Sequence, residues 1–316
     1  SASIPPANAA AALAALQIMR DEPERIERVN QIGQKMRDAY GQLGFDTGHS
    51  VTPVVPIVIG DDELTFLTWK LLFENGSKED LLSALAAYQN ADGGFGHALE
   101  PDCWNPNSSP VQTWVATRII HEAGLQDQTH PIVQGILNYL ASGADFDGHT
   151  WLNSIPSNNE HPHAPWWTFT PNPEITYNPT ASLIGFILKF ADRSSDLFYK
   201  GSLLAQEAYA HFKSHHPLQE MHTVANYVEL YQDLRSSSIN DLIDMQEFKN
   251  LLHSQIQHVL THDTSRWAVD YVCKPSLFIG SKSSDFYLAN MYTCYYECEF
   301  IANTQEPNGT WAVTWA

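Results

Sequence analysis

Three side chains that lie close together in the sequence could move protons. His97, Glu100 and Asp102 directly follow a glycine-rich turn, and Pro101 between the two acids restricts the backbone that carries them. Two carboxylates beside an imidazole are typical of general acid–base catalysis, because one group can donate a proton while another accepts one. We predict that these three residues are catalytic. The structural alternative is that Asp102 or Asn105 caps the helix that follows.

A second set of candidates consists of aromatic and histidine side chains on long connections. Indole and phenol rings can stack on a sugar or stabilise a cation. Connections at the mouth of a pocket are frequent places for ligand contacts. We predict that five such residues bind substrate: Trp104, His163, Trp166, Trp167 and Tyr177. For most of the other aromatic residues of the chain, packing in a helical core is the favoured alternative.

Metal ligation is a weaker hypothesis for this sequence. His161 and His163 flank a proline, and with His97 or His149 they could bind zinc. Loops rich in Pro, His and Asn are also common without a ligand, so we expect no metal and no cofactor. The four cysteines include no Cys-x-x-Cys pair, and we expect free thiols in a reducing compartment.

The charge balance restricts the kinds of partner. The chain of 316 residues has 17 Lys and Arg against 36 Asp and Glu, a net charge of −19. Nucleic acids and anionic membrane surfaces attract clustered positive charge, so we expect neither as a partner. No apolar run is long enough to span a membrane, and no signal peptide is expected, which favours the cytoplasm. A small-molecule ligand is compatible with this composition, and the oligomeric state is left open.

Composition divides the chain into two parts. Residues 1–75 hold one of the fourteen His, one of the nine Trp and a charge of −4, which leaves −15 for the rest. Asn75-Gly76 is typical of a turn, and Ser77 with Asp80 resembles a capping box at the start of a helix. We therefore predict one domain at residues 1–75 and another at residues 76–316.

The first part has an α, β, α pattern. Helices are predicted after Pro5-Pro6, from Glu22 to Gly44 and from Asp61 onward, with a β-branched strand at residues 53–60. Residues 1–7, 43–48 and 52–62 resemble motifs of the α-oxoamine synthases, which are pyridoxal-phosphate enzymes that include serine palmitoyltransferase. The resemblance implies a fragment of their small domain. It also implies that the Schiff-base lysine lies outside this stretch and that Lys35 and Lys70 are surface residues.

The second part is predicted to be mainly α. An apolar period near 3.6 residues predicts helices at 81–88, 111–123, 131–140, 180–190, 203–213, 221–234, 245–261 and 286–303. The polar connections between these segments indicate helical hairpins, which can form a bundle, a solenoid or a closed toroid.

Two similar segments favour the toroid. Residues 89–95 and 305–311 both follow the pattern Gln-x-x-(Asp/Asn)-Gly-x-aromatic directly after a helix. Glycine there permits a positive φ, glutamine can bond free carbonyls, and the aromatic ring can pack back on the helices. The pattern resembles the repeat of the α/α-toroid proteins, which include terpene cyclases and protein prenyltransferases, and in particular a bacterial branch of them. The predicted fold is thus mainly α, an α/α-toroid of helical hairpins preceded by a small α/β fragment.

The known chemistries of these toroid proteins do not transfer to this sequence. The Asp-x-Asp-Asp acid motif of the protonating cyclases is missing, and Asp270 to Cys273 has the wrong spacing for a prenyltransferase zinc site. We therefore predict a central pocket that binds or transforms a small organic molecule, terpenoid-like or carbohydrate-like. The alternatives are a scaffold or chimera without native activity, and a remnant of a pyridoxal-phosphate acyltransferase. Whether the chain is an enzyme stays open.

Overall fold

The fold class is mainly α, as predicted. The computed structural model describes residues 18–42, 61–171, 176–307 and 309–311, and in these ranges it contains helices and isolated bridges but no strand. The chain divides into two compact units, residues 1–84 and residues 85–316. Each unit is described by itself.

The first unit contains two of the helices predicted from the sequence. Helix α1 is Pro23–Gln42 and helix α2 is Asp61–Phe73. The apolar stripe that predicted α1 is exposed, with 42–48% exposure at its four large residues, which are Ile26, Val29, Ile32 and Met36. The strand predicted at 53–60 and the helix predicted after Pro5-Pro6 lie outside the described residues.

Helix α3, Lys78–Ala86, begins where the capping motif predicts. Ser77 Oγ accepts a hydrogen bond of 3.1 Å from the backbone N–H of Asp80. This bond satisfies one of the amide groups that have no partner within a helix's first turn.

The second unit is built from seven further helices in its described part. They are α4 (Pro110–Glu122), α5 (Pro131–Ser142), α6 (Thr180–Phe190), α7 (Asp196–His215), α8 (Met221–Ser236), α9 (Met245–Val259) and α10 (Tyr287–Thr304). The apolar period located all of them, and the largest errors are at helix ends. None of the helices in the described ranges is long and apolar enough to cross a membrane.

Helices α6 and α8 run parallel and in register. Their side chains pair at a constant separation of 44 residues. Ser182 Oγ donates to Asn226 Oδ1 at 2.6 Å, and Lys189 Nζ donates to Asp233 Oδ1 at 3.0 Å. The axes approach closely at Gly185, where a Cβ would lie 3.2 Å from Leu230 Cα. Two consecutive hairpins thus place equivalent helices side by side.

The intervening helices follow the same repeat. Helix α7 is antiparallel to α6. Tyr177, just before α6, packs on His211 near the end of α7. A Cβ at Gly201, near the start of α7, would come within 2.8 Å of Ile187 Cγ2 near the end of α6. Helix α7 is in turn parallel to α9, because hydrogen bonds join successive positions of the two helices in the same order. Alternate helices therefore run in the same direction, as in hairpin repeats.

The described residues of the two similar segments make the same hydrogen bond between glutamine and glycine. Gln89 Nε2 donates to Gly93 O and Gln305 Nε2 donates to Gly309 O, each at 2.9 Å. Both glycines have positive φ, +90° and +87°. The sequence therefore correctly predicted that the glutamine bonds a backbone carbonyl and that the glycine has a positive φ. The aromatic residues differ, because Phe95 is fully buried whereas Trp311 is about half exposed.

Charged side chains lie between α4, α6 and α8. Asp233 is 5% exposed and pairs with Lys189, while His121 Nε2 lies 3.5 Å from Asp233 Oδ1. The His121 ring stacks on Phe190, and burial lowers the pKa of the imidazole. One α8 turn earlier, Glu229 accepts a hydrogen bond of 2.8 Å from Trp114 Nε1. The space between these helices is therefore polar as well as apolar.

The Lys189–Asp233 pair gives a stability prediction. Lys189→Met should lower the free energy of unfolding by about 3 kcal/mol, because it leaves a buried carboxylate without its counter-charge. Replacing both partners, as K189M with D233L, should recover most of that loss. The exposed pair of Lys213 and Glu247 supplies a control, since Lys213→Met should cost less than about 1 kcal/mol. Urea unfolding measures all three, and equal losses for the two Lys→Met variants would contradict the prediction.

Candidate functional site

The loop that carries the predicted catalytic residues is fixed to the first turns of α4. Gln112 on α4 is fully buried, and its side chain bonds the loop at both ends. Its Oε1 accepts from Leu99 N at 2.9 Å, and its Nε2 donates to Asn105 O at 3.0 Å. Ser109 caps the helix by accepting from Gln112 N. Residues 99–105 therefore have a defined conformation.

A second loop, residues 156–168, lies against the first. The backbone N–H of Trp104 donates to Pro162 O at 2.9 Å, and that of Ala164 donates to Asp102 O at 2.8 Å. Beneath them, the buried Asn105 donates through Nδ2 to Asn158 Oδ1 at 2.8 Å. The two loops form one surface, although about sixty residues separate them in the sequence.

Glu100 and Asp102 form a carboxyl pair on this surface. Burial, together with the charge of Asp102 and a hydrogen bond to it, raises the pKa of Glu100 to about 7, against a weaker opposing effect of Arg118. Near neutral pH, Glu100 can therefore hold a proton beside Asp102. Asp102 also accepts a hydrogen bond from Trp167 Nε1, which fixes its orientation. A carboxylic acid that keeps its proton near neutral pH can serve as a general acid, so a part for this pair in acid–base catalysis stays a prediction.

His97 precedes this pair in the loop, and its side chain contacts Asn90. It is exposed, its φ is +61°, and its Nε2 is 2.9 Å from Asn90 Oδ1. Asn90 also donates to Pro106 O and to Ser108 Oγ, so the amide is held firmly. The hydrogen bond orients the His97 ring, and a part for His97 in proton transfer stays a prediction.

Four of the five predicted substrate-binding residues lie on the two loops. The indole of Trp104 donates to Pro101 O at 2.8 Å, and its ring is 64% exposed. Trp166 is about half exposed, and His163 is held between His161 O and Thr168 Oγ1. Trp167 contacts Asp102 directly. Trp104 and Trp167 thus contact the segment that carries the carboxyl pair, and the part of all four residues in binding stays a prediction.

Tyr177 is placed elsewhere. Its ring is 2% exposed and packs against His211 and Tyr227 at the start of the α6–α7 hairpin. It lies on a connection, as the sequence suggested, but the connection is buried under its own hairpin. The observed contacts of Tyr177 are therefore those of a core residue.

Sequence reasoning missed several residues near the carboxyl pair. Arg118 on α4 acts on Glu100 and lies 3.5 Å from Glu229. Tyr271 hydrogen-bonds to His222 Nε2 at 2.9 Å. Burial and the charges of Glu220, Glu100 and Asp102 raise the pKa of Tyr271, which places this phenol near the same carboxylates. The sequence signal for this site was limited to α4, where the polar Gln112 interrupts an apolar helix face.

The histidines and cysteines do not converge. Within the described ranges, no group of three or more His, Cys, Asp or Glu side chains is placed to hold a metal ion. His161 enters the site through its backbone, because its carbonyl bonds the ring of His163. The four cysteines are free thiols.

Comparison with known proteins gives partial matches to one family. The 8-amino-7-oxononanoate synthase of Symbiobacterium thermophilum is 42% identical over 76 residues, and the serine palmitoyltransferase of Bacteroides ovatus is 40% identical over 76 residues. A Thermus thermophilus 8-amino-7-oxononanoate synthase/2-amino-3-ketobutyrate coenzyme A ligase is also 40% identical over 76 residues. Each match covers 24% of this chain and 19% of the relative. No family model and no solved structure matches.

These matches support the resemblance to the α-oxoamine synthases seen in the sequence, and their length is about that of residues 1–75. Enzymes that use pyridoxal phosphate hold it through a lysine. In the described part of this segment, Lys35 is exposed on α1, and Lys70 Nζ lies 4.6 Å from the ring centre of Phe66. Neither lysine is placed to form a Schiff base, so the residues present do not fit the cofactor.

The raised pKa of Glu100 predicts a specific pH dependence. Between its ordinary value of 4.5 and about 7, the folded state holds this proton and the unfolded state does not. The free energy of unfolding should therefore fall as the pH rises through this window and level off above it. Glu100→Gln should remove this contribution, which urea midpoints at pH 5 and pH 8 will measure.

The matched control is Glu122→Gln, since Glu122 is exposed on the same unit. It should leave the pH dependence as in the original chain. If Glu100→Gln and Glu122→Gln change it equally, Glu100 does not bind the additional proton.

Proposed function

We propose that the chain combines two parts with different histories. Its amino-terminal part is a remnant of a pyridoxal-phosphate-dependent acyltransferase of the α-oxoamine synthase type. Its second part is a helical domain that binds a small organic molecule and transfers protons to or from it. The comparisons support the first statement more directly, and the carboxyl pair on the two loops supports the second.

The proposal of a remnant rests on the partial matches. Relatives 37–42% identical over 74–76 residues indicate common ancestry of that segment, while the chain covers only 19% of their length. The exposed stripe of α1 supports the same idea, because apolar helix faces in a complete domain are normally buried against other elements. We infer that this segment retains the ancestry of the transferases without their catalytic machinery.

Reduction with borohydride tests this directly. After the whole chain is incubated with pyridoxal phosphate, borohydride should trap no site-specific adduct, and no cofactor absorbance should remain after desalting. A stoichiometric adduct on Lys35 or Lys70 would overturn the remnant and favour a transferase that retains its cofactor.

The acid–base proposal rests on a single observation, the carboxyl pair of Glu100 and Asp102. The pKa of about 7 allows Glu100 to act as the acid at neutral pH, while Asp102, bonded to Trp167, is the candidate base. A pair of titratable groups that differ in environment is a frequent arrangement in active sites. The reaction class we propose is proton transfer to or from a bound small molecule.

The exposed rings beside the pair indicate the kind of molecule. Trp104 is 64% exposed and hydrogen-bonds to the Pro101 carbonyl between the two acids, and an exposed indole beside carboxylates suits a hydroxylated or carbohydrate-like ligand. The alternation of parallel helices α6 and α8 with α7 and α9 supports an α/α-toroid, whose central pocket would open at such loops. We propose this toroid as the finer description of the second unit.

Native mass spectrometry of the purified chain tests the acid–base site. We expect an organic mass to be retained by the native protein, and Glu100→Gln or Asp102→Asn should abolish it. At pH 5, where Glu100 is protonated in the folded chain, neither change should alter the free energy of unfolding by more than about 1 kcal/mol. Glu160→Gln, an exposed change in the second loop, is the control and should retain the ligand.

Two results would favour the alternatives. A large loss of stability in Asp102→Asn would support a purely structural role for that carboxylate as the acceptor of the Trp167 indole, since Ser109 and not Asp102 caps α4. A bare polypeptide mass, with no binding of added oligosaccharides, would support a scaffold or chimera without native activity.

A further inference from the structure

Two histidine rings stack on one face of α7, outside the two loops of the proposed acid–base site. His211 and His215 are four residues apart, which is about one turn of the helix. Their ring centres are 4.0 Å apart, and the ring planes are inclined by 19°. His211 is half-buried and His215 is exposed. The helix thus presents two imidazoles together that have no part in the proposed acid–base chemistry.

The hydrogen bonds of the two rings use Nδ1 and leave Nε2. His215 Nδ1 lies 3.0 Å from the carbonyl oxygen of His211. Since a carbonyl oxygen only accepts, Nδ1 of the neutral ring carries the proton and Nε2 has the lone pair. His211 Nδ1 lies 3.2 Å from the hydroxyl oxygen of Tyr227, which can accept the same proton. Metal-binding histidines are typically held in this way, with the second ring nitrogen donating to a backbone carbonyl or another acceptor.

The surroundings favour neutral rings and a bound cation. Burial and the neighbouring His215 lower the pKa of His211, against an opposing effect of Glu207. A metal ion requires the imidazole in its neutral form. Glu207 is one turn earlier on α7, and its Oε1 lies 2.6 Å from His149 Nδ1, so an acidic group is part of the same surface. The net charge of −19 also attracts cations to the chain.

The number of protein ligands selects the kind of ion. Within the described ranges, no group of three or more His, Cys, Asp or Glu side chains is placed to hold a metal ion, so water would complete the coordination of an ion on this pair. Structural zinc sites use four protein ligands, and catalytic ones use three. Cu²⁺ and Ni²⁺ bind imidazole and accept a tetragonal arrangement of nitrogen and oxygen ligands. Two imidazoles with water therefore suit these ions better than zinc.

A second pair of histidines shows that spacing alone does not make such a site. His258 and His262 are also four residues apart, but α9 ends at Val259, so only one of them is on the helix. Both of their Nε2 atoms lie within 3.3 Å of a hydrogen-bonding atom of a glutamine residue. The pair on α7 differs because both rings are on one helix face and both keep Nε2 outside the observed hydrogen bonds.

From these contacts we propose that His211 and His215 form a binding site for a divalent transition-metal ion of the Ni²⁺ and Cu²⁺ class. The two Nε2 atoms bind the ion, and water fills its other positions. Because His215 is exposed, its ring can tilt from the stacked arrangement until both Nε2 atoms face one ion. The site does not depend on the acid–base function proposed for Glu100 and Asp102.

Calorimetric titration of the whole chain with Ni²⁺ tests the proposal. Cu²⁺ is less suitable as a probe, because the exposed thiol of Cys298 can reduce it. We expect one site that binds more tightly than the remaining histidines. His211→Gln and His215→Gln should each weaken it at least about tenfold, since the second imidazole of a chelate binds as an intramolecular ligand. The matched control is His258→Gln, which should bind Ni²⁺ unchanged.

A second measurement uses the unmodified chain. Diethyl pyrocarbonate modifies accessible imidazole nitrogens, and Ni²⁺ should protect His215 while His258 stays equally reactive, as read by peptide mass spectrometry. The proposal is wrong if no saturable site is found, if His258→Gln weakens binding as much as His215→Gln, or if Ni²⁺ leaves the modification of His215 unchanged. Since His215 is exposed, its variant should fold even if the loss of the His211 contacts with Tyr177 and Tyr227 destabilises the other.

Discussion

The parallel pairing of α6 and α8 is the constraint on which the second unit depends. The close approach at Gly185 brings two helix backbones together, and a buried ion pair, Lys189 with Asp233, holds their ends in register. Burying two charges costs desolvation energy, which their attraction offsets only when the geometry is good. The pair is therefore better understood as a device for register than as a source of net stability.

The loop site depends on amides in a similar way. Asn105, Asn158 and Gln112 are almost completely buried, and each bonds backbone or side-chain groups of the loops. Since buried polar groups are costly when unpaired, such a network permits few alternative conformations. It fixes the loop that carries Glu100 and Asp102, and the raised pKa of Glu100 follows from its burial and from the neighbouring Asp102 carboxylate. Buried amide side chains with no proposed chemical role thus hold the proposed acid–base residues in place.

The two units differ in how far their history can be traced. Partial matches connect a segment of about the length of residues 1–75 to pyridoxal-phosphate synthases, yet its described lysines do not fit the cofactor. The relatives described above each match 24% of the chain, and no family model or solved structure matches. The hydrogen-bond networks and the buried ion pair lie in the second unit. The matched relatives cover only about a quarter of the chain, so the proposed acid–base function rests on the geometry of the second unit.

The sequence alone determined the helices and the repeated turn, since both depend on local rules. An apolar period near 3.6 located α4 to α10, and the spacing of Gln89 and Gly93 was enough to predict their turn. It also placed Glu100 and Asp102 together, because Pro101 keeps them adjacent. Tertiary structure alone decided which distant groups meet: Trp167 with Asp102, and Arg118 and Tyr271 near the acids. Tyr177 shows the same limit of sequence analysis. Whether a connection is buried depends on how the hairpins pack against one another, and the apolar period of a single helix carries no information about that packing.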